Sequence, residues 1–87
     1  MKRLQPGMTV QHFKGEHLDR SNGNTCYLYK ILGTAKHFKT EEVLVIYQAL
    51  YTPYAMFVRS ATDFLDKVDK LSYPNVKQLY KFEEFRG

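Results

Sequence analysis

Two of the three histidines and one arginine are the residues of this 87-residue sequence best suited to a binding or metal site. His12 and His37 each stand near the end of a predicted strand, and Arg59 follows the apolar residues 56–58. A guanidinium can bind a carboxylate or a phosphate through its planar fork. A charge at the position of Arg59 costs free energy unless it is paired or reaches solvent. Arg59 therefore either binds an anion or forms a structural ion pair.

A metal site on these histidines would need a third ligand, such as Glu41 or Asp63. The spacing of these residues matches no known ligand pattern, and each histidine could instead cap a strand end or donate to a carbonyl. Cys26 is the only cysteine, which excludes an intrachain disulfide and a thiolate cluster, and no histidine stands at a telling distance from it. We therefore predict no metal site, no cofactor and no catalytic cysteine.

The chain order brings several polar residues to one end of a predicted sheet. If consecutive strands form hairpins, Arg59 returns to the level of His37 and of the turn that contains Glu41, with Tyr47 midway along the strand between. This arrangement could form a pocket for an anionic group. It could also be a structural lock in which Arg59 pairs with Glu41, Glu42 or Asp63. The candidate ligand-binding residues are Arg59, His37, Tyr47, His12 and Glu41.

The elements that position these residues are predicted to be short strands. Residues 43–51 are the clearest, because both sets of alternating side chains are largely apolar or aromatic. We therefore expect a strand with a neighbour on each side and with both faces covered. The other predicted elements are strands at 8–13, 27–37 with a bulge near Gly33, 55–60 and 78–82, and a helical turn within 61–68 capped by Thr62.

The remaining segments are predicted to be irregular. Residues 16–25 are polar, contain Asn22 and Gly23, and predict an exposed, mobile loop without apolar anchors. Residues 1–7 predict a loose lead-in, and the charged tail at 83–87, or at least 85–87, is expected to fray. The whole chain, residues 1–87, is predicted to be a single domain.

The predicted fold is mainly β. About five short antiparallel strands with one short helical turn favour a small, half-open barrel of the SH3-like kind. A flat sheet packed on the helix is the alternative, but one short helix could not cover a five-stranded face.

Composition limits the possible partners. The net charge of +4 is modest and its lysines and arginines are scattered, so only weak, non-specific binding of nucleic acid is expected. Tyr47, Tyr51, Tyr54 and Phe57 could stack bases or could form the core. No apolar run is long enough to span a membrane, and no secretory signal precedes the first strand, so a cytoplasmic setting is expected.

Several motifs, taken in order, resemble one small bacterial family. They are VQHFKG at 10–15, AKH at 35–37 followed by Thr40 and Glu41, VIYQALY at 45–51, and Val58 and Arg59 followed by Phe64. Together they resemble the bacterial family of domains of unknown function 1653, over about Gln5 to Glu84. Ser60 stands where the family usually has proline. The resemblance implies a compact, β-rich, SH3-like cytoplasmic domain and no established activity.

Two classes of function follow from these observations. The first is a non-enzymatic binding module for a peptide, a protein or a small anionic ligand. The alternative is a nucleic-acid-binding accessory domain. An enzyme is disfavoured because no nucleophile, base and orienting group are recognisable together.

Overall fold

The structure is a computed structural model that describes residues 3–87. Its five strands form one antiparallel sheet in the order β4-β3-β2-β1-β5. A single 3-10 turn follows β1, and a short helix follows β4. The elements are β1 Thr9–His12, the 3-10 turn Phe13–Gly15, β2 Leu28–Lys36, β3 Val43–Ala49, β4 Met56–Ser60, α1 Ala61–Phe64 and β5 Phe82–Glu84. The prediction of a mainly β fold with five antiparallel strands and one short helix is confirmed.

Strand β3 has the predicted neighbours, because it pairs with β2 on one side and β4 on the other. Its inner side chains Val45, Tyr47 and Ala49 are buried. The outer side chains, such as Ile46, are only half-buried, so the prediction that both faces are covered is wrong for the outer face. Part of the outer face is covered beside β1, where the side chain of Gln11 hydrogen-bonds to Arg20 and Gln78.

A bulge in β2 lies where the sequence predicted it. The register of β2 on β3 shifts between Ile31 and Gly33, and the extra residue Leu32 is 40% exposed. A bulge bends its strand and increases the local twist. It therefore helps the sheet to curl around its inner face.

The core consists of aromatic rings contributed by both halves of the sheet. Phe82 from β5 stacks on Phe64 from α1, with ring centroids 4.2 Å apart. The Phe82 ring also contacts Tyr47 and Tyr29, at 5.6 and 5.9 Å between centroids. Because Phe82 lies on an edge strand and reaches β3, the sheet is curled and not flat. The SH3-like assignment stays a prediction. Of the four aromatic residues predicted either to form the core or to stack bases, Tyr47 is in the core and Tyr54 is 55% exposed.

Helix α1 begins directly where β4 ends. The Ser60 hydroxyl accepts a hydrogen bond from the backbone N–H of Asp63 at 3.1 Å, so Ser60 is the N-cap and the predicted cap at Thr62 is wrong. The helix ends at Phe64, whereas the helical pattern was predicted to extend to Val68. Beyond it the chain is irregular, with turns and an isolated bridge between Lys67 and Tyr80.

The last strand lies later in the sequence than the predicted 78–82. Strand β5 spans Phe82–Glu84 and pairs with β1 at an edge of the sheet, as an edge strand was expected to do. The Glu83 carboxylate accepts the backbone N–H groups of Leu79 and Tyr80, at 2.9 and 3.0 Å, so those groups are used in a turn and not in a ladder. The expectation that Glu83 and Glu84 fray is therefore wrong.

The lead-in is packed against the sheet from Arg3 onward, which corrects the prediction of a loose segment; its first two residues lie outside the described part. Leu4 is 1% exposed and belongs to the core. Arg3 Nη1 donates to the Phe82 carbonyl at 2.8 Å, and the Gly7 N–H donates to the Ile31 carbonyl at 2.8 Å.

The loop at 16–25 is largely exposed but has a polar anchor that the sequence prediction missed. Arg20 Nη1 donates to the carbonyls of Asn24 and Cys26 at 2.9 and 2.7 Å, and Nη2 donates to the Gln11 side chain at 3.0 Å. The start of the loop is also closely packed, because a Cβ atom at Gly15 would lie 2.5 Å from the Cβ of Tyr27.

Candidate functional site

A cleft of about 310 Å³ opens on the inner side of the curled sheet. One wall is the segment that follows β1, another is β4, and the third is the chain that leads from α1 to β5. We call it the Arg59 cleft. It is lined by His12, Phe13, Lys14, Arg59, Asp69, Tyr73 and Lys81.

Arg59 is positioned by the strand register. It pairs with Val45, so its side chain lies on the inner face together with Tyr47. Arg59 Nε donates to the Tyr47 hydroxyl at 2.8 Å, and Nη1 donates to the Asp63 carboxylate at 3.0 Å. Within residues 3–87, Nη2 of Arg59 donates no hydrogen bond to the protein. The guanidinium is thus fixed on one side and available to a ligand on the other.

Asp63 joins two cations of the cleft. Its carboxylate contacts Arg59 and also accepts from Lys81 Nζ at 2.8 Å. The hydrogen bond from Lys81, with Arg59 beside it, holds the pKa of Asp63 below its ordinary value. Burial disfavours the charged form of Arg59, but the hydrogen bond to Tyr47 and the charge of Asp63 outweigh it and raise its pKa. Asp63 and Arg59 are therefore both charged near neutral pH.

His12 contributes a neutral imidazole. The ring is 8% exposed, and its Nδ1 accepts the backbone N–H of Lys14 at 3.2 Å. Burial, with the nearby charges of Arg59, Lys14 and Lys81, lowers the pKa of His12 from 6.5 to about 4. A neutral imidazole whose Nδ1 accepts carries its proton on Nε2. Nε2 has no hydrogen-bond partner among the described residues, so this group can donate to a ligand.

The other two predicted site residues, His37 and Glu41, lie in the turn between β2 and β3. His37 Nδ1 accepts the backbone N–H of Lys39 at 3.2 Å, and its ring stacks on Phe38 at 5.3 Å between centroids. Glu41 is exposed and has a φ of 59°. The register places this turn at the same end of the sheet as Arg59, but neither residue lines the Arg59 cleft.

The structure thus brings together Arg59, Tyr47 and His12 and leaves His37 and Glu41 apart. Of the predicted ion-pair partners of Arg59, Asp63 is the one in contact. Sequence reasoning missed Tyr73 and Lys81, because residues 69–81 reach the cleft through contacts with residues far away in the chain, such as that of Tyr73 with Phe13. The Glu16 carboxylate accepts the backbone N–H groups of Lys77 and Gln78, and no local sequence signal reports that contact.

A second cleft, of about 300 Å³, is a weaker candidate. It is lined by Arg3, Leu4, Tyr80, Glu83 and Glu84. Its one cation lies over the Tyr80 ring at 3.9 Å and also binds the Phe82 carbonyl, while the two glutamates disfavour an anion. Within residues 3–87, no three His, Cys, Asp or Glu side chains are grouped in a way that could hold a metal ion. No helix of the same region has the length and apolar character needed to cross a bilayer.

The fold and the cleft define a small, mainly β domain with a cationic cleft on its inner face. The family described as protein of unknown function (DUF1653) matches residues 8–84, and the chain belongs to this family. No curated protein and no solved structure matches the chain. Any function must therefore be inferred from the site itself.

Proposed function

We propose that this protein is a non-enzymatic binding module whose Arg59 cleft binds an anionic group of a small ligand, a peptide or a protein. The observation that carries the proposal is the arrangement of Arg59. Its Nε and Nη1 are held by Tyr47 and Asp63, while Nη2 is left without a protein partner in the described chain. A guanidinium fixed in this way binds an anion without first losing side-chain freedom.

The other groups of the cleft also favour an anion. His12 offers a neutral N–H donor, and Lys14 and Lys81 add positive charge. Asp69 is the one carboxylate in the lining, and its oxygens already accept from the Leu71 N–H and the Ser72 hydroxyl, at 3.0 and 2.9 Å. Hydrogen bonds from charged donors to a carboxylate or phosphate are stronger than neutral ones.

The same geometry disfavours an enzyme. The Nδ1 atom of His12 is occupied by a backbone N–H and its Nε2 carries the proton, so the imidazole is not placed as a general base. The lining contains no serine, threonine or cysteine that such a base could activate.

We also propose a bacterial cytoplasmic location, which the family resemblance and the exposed free thiol of Cys26 support.

Thermal denaturation with simple anions tests this proposal. A ligand that binds the native state raises the apparent stability by mass action. We expect acetate and phosphate, compared at equal ionic strength with chloride, to raise the Tm of the wild type. The shift should vanish in Arg59→Met and persist in Arg86→Met, a matched control at an exposed arginine. An equal shift in wild type and Arg59→Met, or no shift with either anion, would contradict the proposal.

One observation supports nucleic-acid binding as a second candidate. Phe38, in the turn between β2 and β3, is 84% exposed, with the His37 ring stacked on one side and Lys39 Nζ 5.8 Å from its centroid. An exposed aromatic ring beside lysines can stack an unpaired base. Fluorescence anisotropy with a labelled single-stranded oligonucleotide tests this role. Binding that is lost in Phe38→Ala and kept in Arg59→Met would support it. Binding that is unchanged in Phe38→Ala would exclude this turn.

A further inference from the structure

We infer that the anion bound in the Arg59 cleft is a carboxylate attached to a small apolar or aromatic group, and not a phosphate. This inference rests on the proposed function and specifies its ligand. It follows from three properties of the cleft: its charge, its number of free donors and its aromatic wall.

The first property is the charge around Arg59. Lys14, Arg59 and Lys81 contribute three cations to the lining, but Asp63 is in contact with two of them and Asp69 lies in the lining itself. Lys81 is further compensated by Asp66 at 3.7 Å. Asp63 and Asp69 leave about one positive charge on the three cations, and the mostly exposed Asp66 lowers it further. A charge of at most about one suits the single negative charge of a carboxylate better than a phosphate monoester, which carries about −1.5 to −2 at neutral pH.

The second property is the small number of free planar donors. Nη2 of Arg59 and Nε2 of His12 are the planar N–H donors of the lining without partners in residues 3–87. A carboxylate presents two oxygens in one plane and is well served by a few such donors. A phosphate monoester presents three strong acceptor oxygens that need partners when removed from water, and the third would depend on the flexible ammonium of Lys14.

The third property is the aromatic wall. Phe13 and Tyr73 line the cleft in edge-to-face contact, with centroids 4.8 Å apart, and the His12 ring lies 4.5 Å from Phe13. Inorganic anions gain nothing from such a surface, while an apolar group next to the carboxylate would bury its surface there. A volume of about 310 Å³ is at the lower end for ligand pockets, which suits one ring and its carboxylate. Such a group occurs in a free aromatic acid and at the C-terminus of a peptide.

The test compares ligands that change one feature at a time. Phenylacetate is the probe, and acetate, phenylacetamide and phenyl phosphate remove the ring, remove the charge or replace the carboxylate. The dissociation constants are measured from ¹H–¹⁵N NMR titrations of the full chain. We expect phenylacetate to bind at least about tenfold more tightly than acetate or phenylacetamide, as one buried ring or one charge-assisted hydrogen bond implies. Phenyl phosphate should bind more weakly than phenylacetate.

A substitution at a partly exposed residue of the aromatic wall tests the role of the wall without removing a buried side chain. Tyr73 is 39% exposed, so Tyr73→Ala should fold and lose the preference for phenylacetate over acetate. Tyr54→Ala, at a tyrosine 55% exposed and outside the lining, is the matched control and should keep the preference.

Each contrary outcome identifies the assumption that is wrong. Tighter binding of phenyl phosphate at the same residues would overturn the carboxylate assignment and leave the proposed function intact. Equal binding of acetate and phenylacetate would overturn the role of the wall. If none of the four compounds shifts residues of the cleft, the proposed function itself fails.

N-acetylphenylalanine distinguishes the two sources of the carboxylate, a peptide C-terminus and a free aromatic acid. Tighter binding than phenylacetate indicates a peptide C-terminus, and weaker binding indicates a free acid. Both results support the carboxylate assignment.

Discussion

Arg59 and Phe82 lie on the two opposite edge strands of one sheet, yet the guanidinium carbon of Arg59 is 5.1 Å from the centroid of the Phe82 ring. A flat five-stranded sheet would hold its edge strands about 19 Å apart. The contact therefore means that the sheet is curled until its edges approach each other. The Arg59 cleft exists because of this closure, so the core and the candidate site depend on the same residues.

Phe82 should be a costly position to truncate. Its ring is 1% exposed and stacks on Phe64, so Phe82→Ala should lower the free energy of unfolding by about 3–5 kcal/mol. Urea denaturation measures this change. Phe38→Ala, at a ring that is 84% exposed, is the matched control and should change stability by less than about 0.5 kcal/mol. Equal effects of the two substitutions would be incompatible with closure through Phe82.

The two faces of β3 should differ in their tolerance to substitution. Val45 is fully buried on the inner face, so Val45→Ala should cost about 2–3 kcal/mol. Ile46 is half-buried on the outer face, so Ile46→Ala should cost less than Val45→Ala although it removes more atoms. Denaturant midpoints of the two variants decide the order, and a larger loss at Ile46 would show that the outer face is covered in solution.

The free energy of unfolding should decrease as the pH is lowered from 6.5 to 4, because His12 is buried in its neutral form. Burial and the nearby cations lower the pKa of His12 to about 4, while in the unfolded chain it has the ordinary value of 6.5. Between these values the unfolded state binds the additional proton, so lowering the pH favours unfolding. Asp63, the carboxylate that faces His12, has a pKa below 3.8 and therefore acts at lower pH. Urea midpoints at several pH values measure the slope.

The control for this pH dependence is His12→Gln, which has no ionisable group. The variant should lose the part of the slope that lies between pH 6.5 and pH 4 and keep the part at lower pH. A slope of the same size in the variant would assign the effect to other residues.

Asp63→Asn should distinguish the structural role of the Arg59–Asp63 ion pair from the role of Arg59 in binding an anion. Asp63, Arg59 and Lys81 are all partly exposed, so loss of the two ion pairs should cost only about 1 kcal/mol. The asparagine can still accept a hydrogen bond from Arg59, while the cleft gains one net positive charge. We therefore expect phenylacetate to bind more tightly, by a few-fold, although the protein is less stable. Weaker binding in this variant would mean that the carboxylate positions Arg59 and that its charge matters little.

Arg20 should control cleavage of the loop at 16–25. Its guanidinium binds three parts of the chain at once, including the carbonyls of Asn24 and Cys26. In the wild type we expect limited proteolysis to begin near residues 21–23, which are exposed. Arg20→Met should accelerate this cleavage several-fold, and Arg86→Met should not. First cleavage within β2 or β3 in either protein would show that the loop is not the most accessible segment.

The sequence predicts the parts of this fold that depend on neighbouring residues. The alternation of residues 43–51, the bulge near Gly33 and the spacing of Arg59 and Asp63 are local features, and the structure contains each of them. The cap at Ser60 was missed because helix α1 begins immediately after β4, with no intervening loop.

The candidate site is less predictable because two of its walls are brought together over long distances in the chain. The Tyr73 ring contacts Phe13, and the Lys81 carbonyl accepts the backbone N–H of Phe13, and no periodicity reports contacts over such distances in the chain. His37 illustrates the opposite error. Strand register places it at the same end of the sheet as Arg59, but its imidazole accepts hydrogen bonds from its own turn.

The most direct test of the Arg59 cleft is an NMR titration that follows the side-chain Nε–Hε signal of Arg59 together with the backbone amides of Lys14 and Tyr73. We predict that phenylacetate shifts these three signals in parallel with one dissociation constant, and that Arg59→Met abolishes the shifts of the two amides. Arg86→Met should leave them unchanged. Shifts confined to other surfaces, such as the turn around Phe38, or amide shifts that persist in Arg59→Met, would contradict the account.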